Sequence, residues 1–279
     1  MIHRTESFTH LGHQLVYDVY GTKGPVLVYL HGLLLDSDLN RGIAEALAAR
    51  THRVVLLDLL GHGRSDKPTH AASYRIDSYA DQVIALLDDL GVRRAVLGGM
   101  SLGANVSLFA ASQNPERVSG LVLEMPVLEW AVPSAALIFS PMLLMAHYAR
   151  TPLQWLGKGL RLLPDTPFPP LNSILHAGSV SPDVMAAVLH GVLVGPVAPT
   201  VEARRGIVAP TLVLGHRYDL IHPLDDADNL MRHLPNATFV RARSPLELRL
   251  RPNRLTEEIG TFLDQVARPV AKRRRRAGS

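Results

Sequence analysis

Residues 99–103 read Gly-Met-Ser-Leu-Gly, and they follow a run of apolar residues. A serine between two glycines is typical of a sharp turn that holds a hydroxyl clear of neighbouring side chains. A serine alcohol can attack a carbonyl once a base removes its proton. We therefore predict that Ser101 is a nucleophile for acyl transfer. The pentapeptide alone is a weak signal, so its meaning depends on the elements around it.

The elements around Ser101 favour this interpretation. A buried strand is predicted over 93–99 and a helix over 102–113. The helix N-terminus would direct its free amides and its positive dipole end at the serine. The amide of Leu102 is then placed to donate to a developing oxyanion, and the amide of Leu33, after an earlier strand, is the predicted second donor.

Short apolar runs alternate with longer amphipathic segments along most of the chain. Strands are predicted over 13–21, 26–32, 52–61, 93–99, 117–126, 211–217 and 237–242. Helices are predicted over 38–50, 76–90, 102–113, 224–234 and 254–266. Nearly continuous apolar strands that alternate with helices indicate a mostly parallel sheet covered on both faces. The predicted fold class is therefore α/β.

One long segment breaks this alternation. It combines a proline-rich stretch at 164–170 with apolar helical pieces, and we expect it to be an insertion that caps the sheet. The chain then divides into a core of residues 1–125 and 206–267, a cap insertion of residues 126–205, and a basic tail of residues 268–279.

The positive charge of the chain is concentrated at its end. The last twelve residues, RPVAKRRRRAGS, hold six of the 29 lysines and arginines, so the remainder carries 23 basic and 25 acidic side chains. We expect the tail to be solvated and to contact anionic surfaces only weakly. No specific nucleic-acid partner is predicted for the folded part.

Composition excludes several classes of protein. The chain has 279 residues, 47% of them apolar, and no cysteine, so disulfides and thiolate chemistry are excluded. The start lacks the apolar run of a secretory signal, and the longest apolar stretch, 135–146, is too short for a transmembrane segment. We expect a cytoplasmic protein without a cofactor or metal site; the aspartates at 225, 226 and 228 are interpreted as an acidic first helical turn.

The sequence resembles the α/β-hydrolase family over residues 13–266. Four motifs carry the resemblance: His-Gly at 31–32, DLLGHGRSDKP at 58–68, the serine turn at 99–103, and G-x-x-x-D at 215–219. The resemblance implies an eight-stranded sheet, a helical cap and a serine nucleophile. His31 and His62 are expected to orient their loops by hydrogen bonding.

The histidine that serves as the base in this family is missing from its usual loop, here residues 241–252. We predict His222 as the base, because it lies just before Pro223 at the start of a helix near the catalytic end of the sheet. Two carboxylates are candidates for orienting it. Asp219 is in the family's usual acid position, and Glu124 ends the sixth strand. The other interpretation of Glu124 is a salt bridge with an arginine.

Two other accounts of the site stay open. In one, a cap histidine (His147, His176 or His190) reaches Ser101. In the other, the chain is a degenerate hydrolase that binds a small apolar ligand or a protein partner without turnover.

The cap supplies apolar side chains for a pocket. Trp130, Met142, Met145 and Trp155 are predicted to contact the substrate, because aromatic and methionine side chains commonly line apolar sites. The predicted function is hydrolysis of a small or medium hydrophobic ester, lactone or thioester through a serine acyl-enzyme.

Overall fold

The computed structural model describes residues 3–216 and 224–268. Two predicted site residues, Asp219 and His222, lie outside these ranges. The tail from residue 269 onward also lies outside them.

The described residues form one eight-stranded sheet in the order β1-β2-β4-β3-β5-β6-β7-β8. Its strands are β1 (His3–His10), β2 (His13–Tyr20), β3 (Val26–Leu30), β4 (Arg53–Asp58), β5 (Ala95–Met100), β6 (Val118–Glu124), β7 (Thr211–Gly215) and β8 (Ala237–Arg241). The pairs β1–β2 and β2–β4 are antiparallel, and all the others are parallel. The predicted α/β class with a mostly parallel sheet is confirmed.

Helices cover both faces of this sheet. The α-helices are α1 (Arg41–Ala49), α2 (Ile76–Asp89), α3 (Leu102–Gln113), α4 (Val132–Tyr148), α5 (Arg150–Leu160), α6 (Pro169–Ser179), α7 (Pro182–Val194), α8 (Val201–Arg205), α9 (Leu224–His233), α10 (Glu247–Leu250) and α11 (Asn253–Ala267). Helices α1 and α11 pack on one face, and α2, α3 and α9 pack on the other.

The alternation of side chains along β3 shows how one strand supplies two cores. Val28 and Leu30 pack with the core on the α2–α3 side, whereas Leu27 and Tyr29 pack with the core on the α1–α11 side. Successive residues of a strand point to opposite faces. A strand between two helical layers is therefore apolar throughout, which explains the continuous run VLVYL.

Strand β1 was not among the predicted strands. Its sequence, HRTESFTH, is mostly polar, and Phe8 is its buried residue. It pairs with β2 along its whole length, from His3–Tyr20 to His10–His13. Backbone pairing at the sheet edge holds this strand. Because that pairing does not require apolar side chains, β1 lacks the apolar pattern that predicted the other strands.

Five helices, α4 to α8, lie between β6 and β7 and form a helical insertion. The exact limits of the cap stay a prediction. Within the described ranges, no single helix is both long and apolar enough to cross a bilayer. The pairs α4–α5 and α6–α7 reach that length and apolarity only in combination, and they are bent by 98° and 100°.

Candidate active site

Ser101 occupies a strained turn between β5 and α3. Its backbone angles are φ 53° and ψ −109°, a conformation that costs free energy for a residue with a side chain. The Ser101 amide donates to the carbonyl of Glu124 at 2.9 Å, and the Ser101 carbonyl accepts from the amide of Asn105 at 3.1 Å. The parallel strand β6 and the first turn of α3 thus hold the serine at the carboxyl end of the sheet.

The two glycines that flank Ser101 allow β3 to pass close by. A Cβ on Gly99 would lie 2.5 Å from the carbonyl oxygen of Leu30, and a Cβ on Gly103 would lie 2.6 Å from the same atom. Neither position tolerates a side chain unless the backbone moves. The spacing of these glycines therefore follows from the close approach of α3 and β5 to β3.

A small apolar cavity of about 100 Å³ opens beside Ser101. Leu33 and Leu102 line it, and their roles as oxyanion donors stay a prediction. The other lining residues are Ile76, Asn105, Val127, Val132, Ala135, Ala136, Phe139, Val192, Leu193 and Val197. The cavity lies between the core and the cap helices α4 and α7, so it is suited to a short apolar group next to the Ser101 side chain.

His31 orients its own loop through both ring nitrogens. Nδ1 donates to the carbonyl of Gly32 at 2.8 Å, and Nε2 accepts from the amide of Leu59 at 3.1 Å. Burial lowers the pKa of His31, although the negative charge of Asp58 opposes this effect. A neutral imidazole held in this way fixes the loop that carries Leu33.

His62 plays a similar part in the next loop. Its Nδ1 lies 3.0 Å from the carbonyl of Leu60, to which it donates. Burial lowers the pKa of His62 to about 3, so the ring is neutral near pH 7. Its ring centroid lies 4.8 Å from that of His31, and two neutral rings pack there without charge repulsion.

Glu124 is the member of the predicted site for which the structure gives the most contacts. Its carboxylate accepts from the Tyr29 hydroxyl at 2.7 Å and forms a salt bridge with Arg249. Arg249 also donates to Oδ1 of Asn40 at 2.8 Å. All four side chains are buried. Arg249 lies in α10, so the loop after the last strand directs an arginine, not a histidine, toward the end of β6.

Sequence reasoning missed Asn105, which holds both ends of the insertion. Its Oδ1 accepts from the amide of Val127 at 3.0 Å, and its Nδ2 donates to the carbonyls of Val127 and Val197 at 2.6 and 2.7 Å. Asn105 also lines the Ser101 cavity. The available signal was a single side-chain amide in the stretch 102–111, where Ser107 is the other polar residue.

Asp226 lies in the acidic first turn of α9, and its carboxylate also binds backbone amides of another segment. Its carboxylate accepts from the amides of Leu128, Trp130 and Ala131 at 2.7, 3.1 and 3.0 Å. These amides precede α4, so a residue of α9 organises the chain where the cap begins. Burial raises the pKa of Asp226, and the three amide donors act against that rise.

The cap histidines face away from the Ser101 cavity or bind elsewhere. His147 and His190 are exposed, and the His147 ring packs edge-on against Tyr148. Nδ1 of His176 lies 2.8 Å from Oδ2 of Asp36, and His176 lines a separate polar cavity of about 790 Å³. None of the three lines the cavity of Ser101.

His216, which sequence reasoning passed over, is buried just after β7. Its Nε2 lies 3.0 Å from Sδ of Met125. It therefore sits at the carboxyl end of the sheet, the same end as Ser101.

The four residues predicted to contact the substrate lie outside the wall of the Ser101 cavity, and their role stays a prediction. Trp130, Met145 and Trp155 are exposed, and Met142 is partly buried against the core. None of the four lines the cavity beside Ser101. The apolar composition of the cap indicated a pocket, but it could not show which helix face would turn inward.

Comparison with known proteins agrees with this geometry. A family profile described as the alpha/beta hydrolase fold matches residues 25–144. A Caulobacter protein, RutD, described as a candidate carbamate hydrolase, is 30% identical over 204 residues, which cover 70% of this chain and 73% of that protein. The chain belongs to the α/β-hydrolase fold family.

Other relatives of this α/β-hydrolase share less of its sequence or length. An uncharacterized protein of Mycobacterium tuberculosis is 37% identical over 112 residues, which cover 40% of this chain. The chain matches about a third of that relative's length, 32%. Among solved structures, a thermophilic esterase of Thermogutta terrifontis covers 95% of this chain and is itself covered completely, with a TM-score of 0.74 and 22% identity. This last likeness is one of fold.

Proposed function

We propose that this α/β-hydrolase cleaves a small or medium hydrophobic ester, lactone or thioester through a serine acyl-enzyme. The observation that carries the proposal is the strained turn at Ser101, which opens into an apolar cavity lined by Leu33 and Leu102. Strain at a nucleophile is retained where the surrounding structure enforces it and function uses it.

In the proposed reaction, Oγ of Ser101 attacks the carbonyl carbon while His222 takes the hydroxyl proton. The amides of Leu33 and Leu102 stabilise the negative charge on the carbonyl oxygen. His222 then gives the proton to the departing alcohol or thiol. The same histidine then deprotonates a water molecule, which attacks the acyl carbon. The bond to Oγ breaks, the acid is released, and the histidine returns the proton to Oγ, which restores Ser101.

Of the two candidate carboxylates, we favour Asp219 as the group that orients His222. The carboxylate of Glu124 already accepts from Tyr29 and is paired with Arg249. A carboxylate neutralised by a buried guanidinium stabilises an imidazolium less than a free one does. We therefore expect Glu124→Gln to reduce kcat less than Asp219→Asn does. A larger loss of kcat in Glu124→Gln would make Glu124 the orienting acid.

The cavity volume limits the acyl group. A dry protein cavity of about 150 Å³ accepts benzene, so about 100 Å³ suits an acyl chain of a few carbon atoms unless the cap moves. We expect kcat/KM for p-nitrophenyl esters to be highest for short chains. Phe139→Ala removes a large side chain from the part of the cavity wall that α4 contributes. We expect the enlarged cavity to shift the optimum toward longer acyl chains.

Ser101 is tested by substitution and by labelling. We expect Ser101→Ala to reduce kcat by at least about 10³-fold and to abolish labelling by a fluorophosphonate probe. Ser107→Ala is the matched control, because Ser107 is a buried serine of the same helix α3 whose hydroxyl donates to the carbonyl of Gly103. Equal activity of Ser101→Ala and Ser107→Ala would refute the role of Ser101 as the nucleophile.

The base is assigned by single histidine substitutions. His222→Ala is expected to remove turnover while Ser101 stays in place, and His190→Ala, on the exposed surface of the cap, is expected to leave turnover unchanged. His216→Ala tests the other histidine at the catalytic end of the sheet. A loss confined to His216→Ala would move the base to that residue.

A second function, ligand binding without turnover, is favoured by one observation. The segment after β8 contributes Arg249 to a buried ion pair, and residues 241–252 contain no histidine. If the fluorophosphonate probe fails to label Ser101 while a short fatty acid still protects the fold against heat, the binding function replaces the hydrolytic one.

A further inference from the structure

The cap exposes far more apolar surface than the rest of the molecule. Of eighteen large apolar side chains exposed in the described part of the chain, thirteen lie within residues 130–174. Leu137 is 76% exposed, Tyr148 81%, Trp155 69% and Leu162 85%. Soluble proteins rarely expose so many large apolar side chains in one place without a partner. We call the exposed side of residues 130–164 the outer cap surface.

Helix α4 is apolar on two opposite faces, and one of them is not covered by any part of the chain that the structure describes. Its inner face, which includes Phe139 and Met142, packs against the core. Its outer face carries Leu137, Leu144 and Tyr148, which share one stripe because their spacing is seven and four residues. Core packing explains the inner face only, so the outer face needs a different partner.

The residues of the outer cap surface carry basic charge, and an acidic residue flanks them at each end. Residues 130–164 contain no aspartate or glutamate, but they include Arg150, Lys158 and Arg161. Asp183 of α7 pairs with Arg150. Lys158 lies with its Nζ 5.0 Å from the ring centroid of Trp155, so a cation adjoins an exposed indole. Tryptophan, tyrosine and lysine are the side chains that anchor proteins at the boundary between lipid and water.

We propose that the outer cap surface binds the face of an anionic lipid bilayer. Exposed leucines and aromatic rings enter the headgroup region, and Lys158 supplies a positive charge for the negative phosphates. The 98° bend between α4 and α5 does not align the two helices as one membrane span. The basic tail is a further positively charged segment of the sequence, but it is not part of the proposed binding surface.

Binding there would place the proposed catalytic cavity beside the lipid. Val132, Ala135 and Phe139 of α4 line the cavity of Ser101, while the opposite side of the same helix meets the bilayer. We expect the substrates to be acyl compounds dissolved in the membrane, and this expectation rests on the proposed function. The docking itself does not depend on turnover.

The two tryptophans of the chain provide a direct measurement, because Trp130 and Trp155 both belong to the outer cap surface. The full chain carrying Ser101→Ala is mixed with phosphatidylcholine vesicles with and without phosphatidylglycerol. We expect sedimentation with the anionic vesicles, a blue shift of tryptophan emission, and quenching by lipids brominated near the headgroup. Using Ser101→Ala separates docking from catalysis.

Paired variants locate the binding surface. We expect the double variant Leu137→Ser/Leu144→Ser to weaken partitioning at least tenfold, because two leucines no longer enter the lipid. Leu11→Ser/Val208→Ser is the matched control, since both side chains are exposed outside the cap. Lys158→Glu is expected to weaken binding to the anionic vesicles only. Thermal unfolding of each variant verifies that it is folded.

Three results would overturn the proposal. One is the absence of partitioning into either vesicle. Another is partitioning that persists in Leu137→Ser/Leu144→Ser but disappears when the basic residues at 272–276 are replaced by glutamine, because the tail would then be the only anchor. The third is a dimer in solution that the same leucine substitutions dissociate, which would make the surface an interface between two copies of this chain.

Discussion

Arg249, in the short helix after the last strand, forms a buried salt bridge with Glu124 at the end of β6. In the same network, the Tyr29 hydroxyl donates to Glu124 and Asn40 accepts from Arg249. Breaking a buried pair on one side leaves an uncompensated charge, which commonly costs about 3–5 kcal/mol.

Arg249→Met is therefore expected to lower the free energy of unfolding by about 3–5 kcal/mol in urea titrations. The double variant Glu124→Gln/Arg249→Met should recover a large part of the loss, because no charge is then left unpaired. Arg251→Met, at an exposed position two residues on, serves as the control. Equal losses of unfolding free energy in the single and double variants would show that lost packing, and not an unpaired charge, causes the destabilisation.

Gly103→Ala tests the close approach of α3 to β3. The added methyl would lie 2.6 Å from the carbonyl oxygen of Leu30, so the helix has to move away from the strand. We expect a loss of more than about 2 kcal/mol in unfolding free energy, with a fall in kcat as the serine turn shifts. Gly42→Ala, in α1, meets no atom within 4 Å and is expected to be neutral or slightly stabilising.

Asp226→Ala removes the acceptor for three amides at the start of the cap. Limited proteolysis should then cut near residues 128–131 faster than in the unsubstituted chain, because those amides lose their partners and the segment opens more often. Asp228→Ala, exposed on the same helix, provides the comparison. Identical cleavage patterns for the two variants would contradict a role of Asp226 in holding the cap.

Acid should destabilise the fold through His62. Its pKa is lowered to about 3, whereas an unfolded histidine titrates near 6.5, so between these values the unfolded chain binds a proton that the folded chain does not. Stability present above pH 6.5 is then lost as pH falls, by about 1.4 kcal/mol per pH unit from this group. His62→Gln is expected to flatten the pH dependence of unfolding free energy. His70→Gln, at an exposed position, is expected to leave the slope unchanged.

Local signals predicted the centre of the site, and long-range contacts decided the rest. The serine turn is encoded by glycines within two residues of Ser101 and by the strand and helix that flank it. The pairing of Glu124 with Arg249 joins residues 125 positions apart, and no short pattern announces it. The contacts of Asp226 with the cap, 95 to 98 positions away, were hidden for the same reason.

The cap shows a second limit of sequence reasoning. Helix α4 is apolar almost all round, so no amphipathic stripe indicated that Phe139 would turn toward Ser101. Strand β1 shows the opposite limit, since its polar sequence is held by backbone pairing with β2.

Asn105 contacts the chain as it leaves the core at Val127 and again as it returns at Val197. Both bonds from its amide group go to backbone carbonyls, which any amino acid supplies. The intervening residues are therefore free to diverge without disturbing the point of attachment. A different helical insertion joined at the same two points would change the wall of the cavity while the backbone contacts that hold Ser101 stay intact.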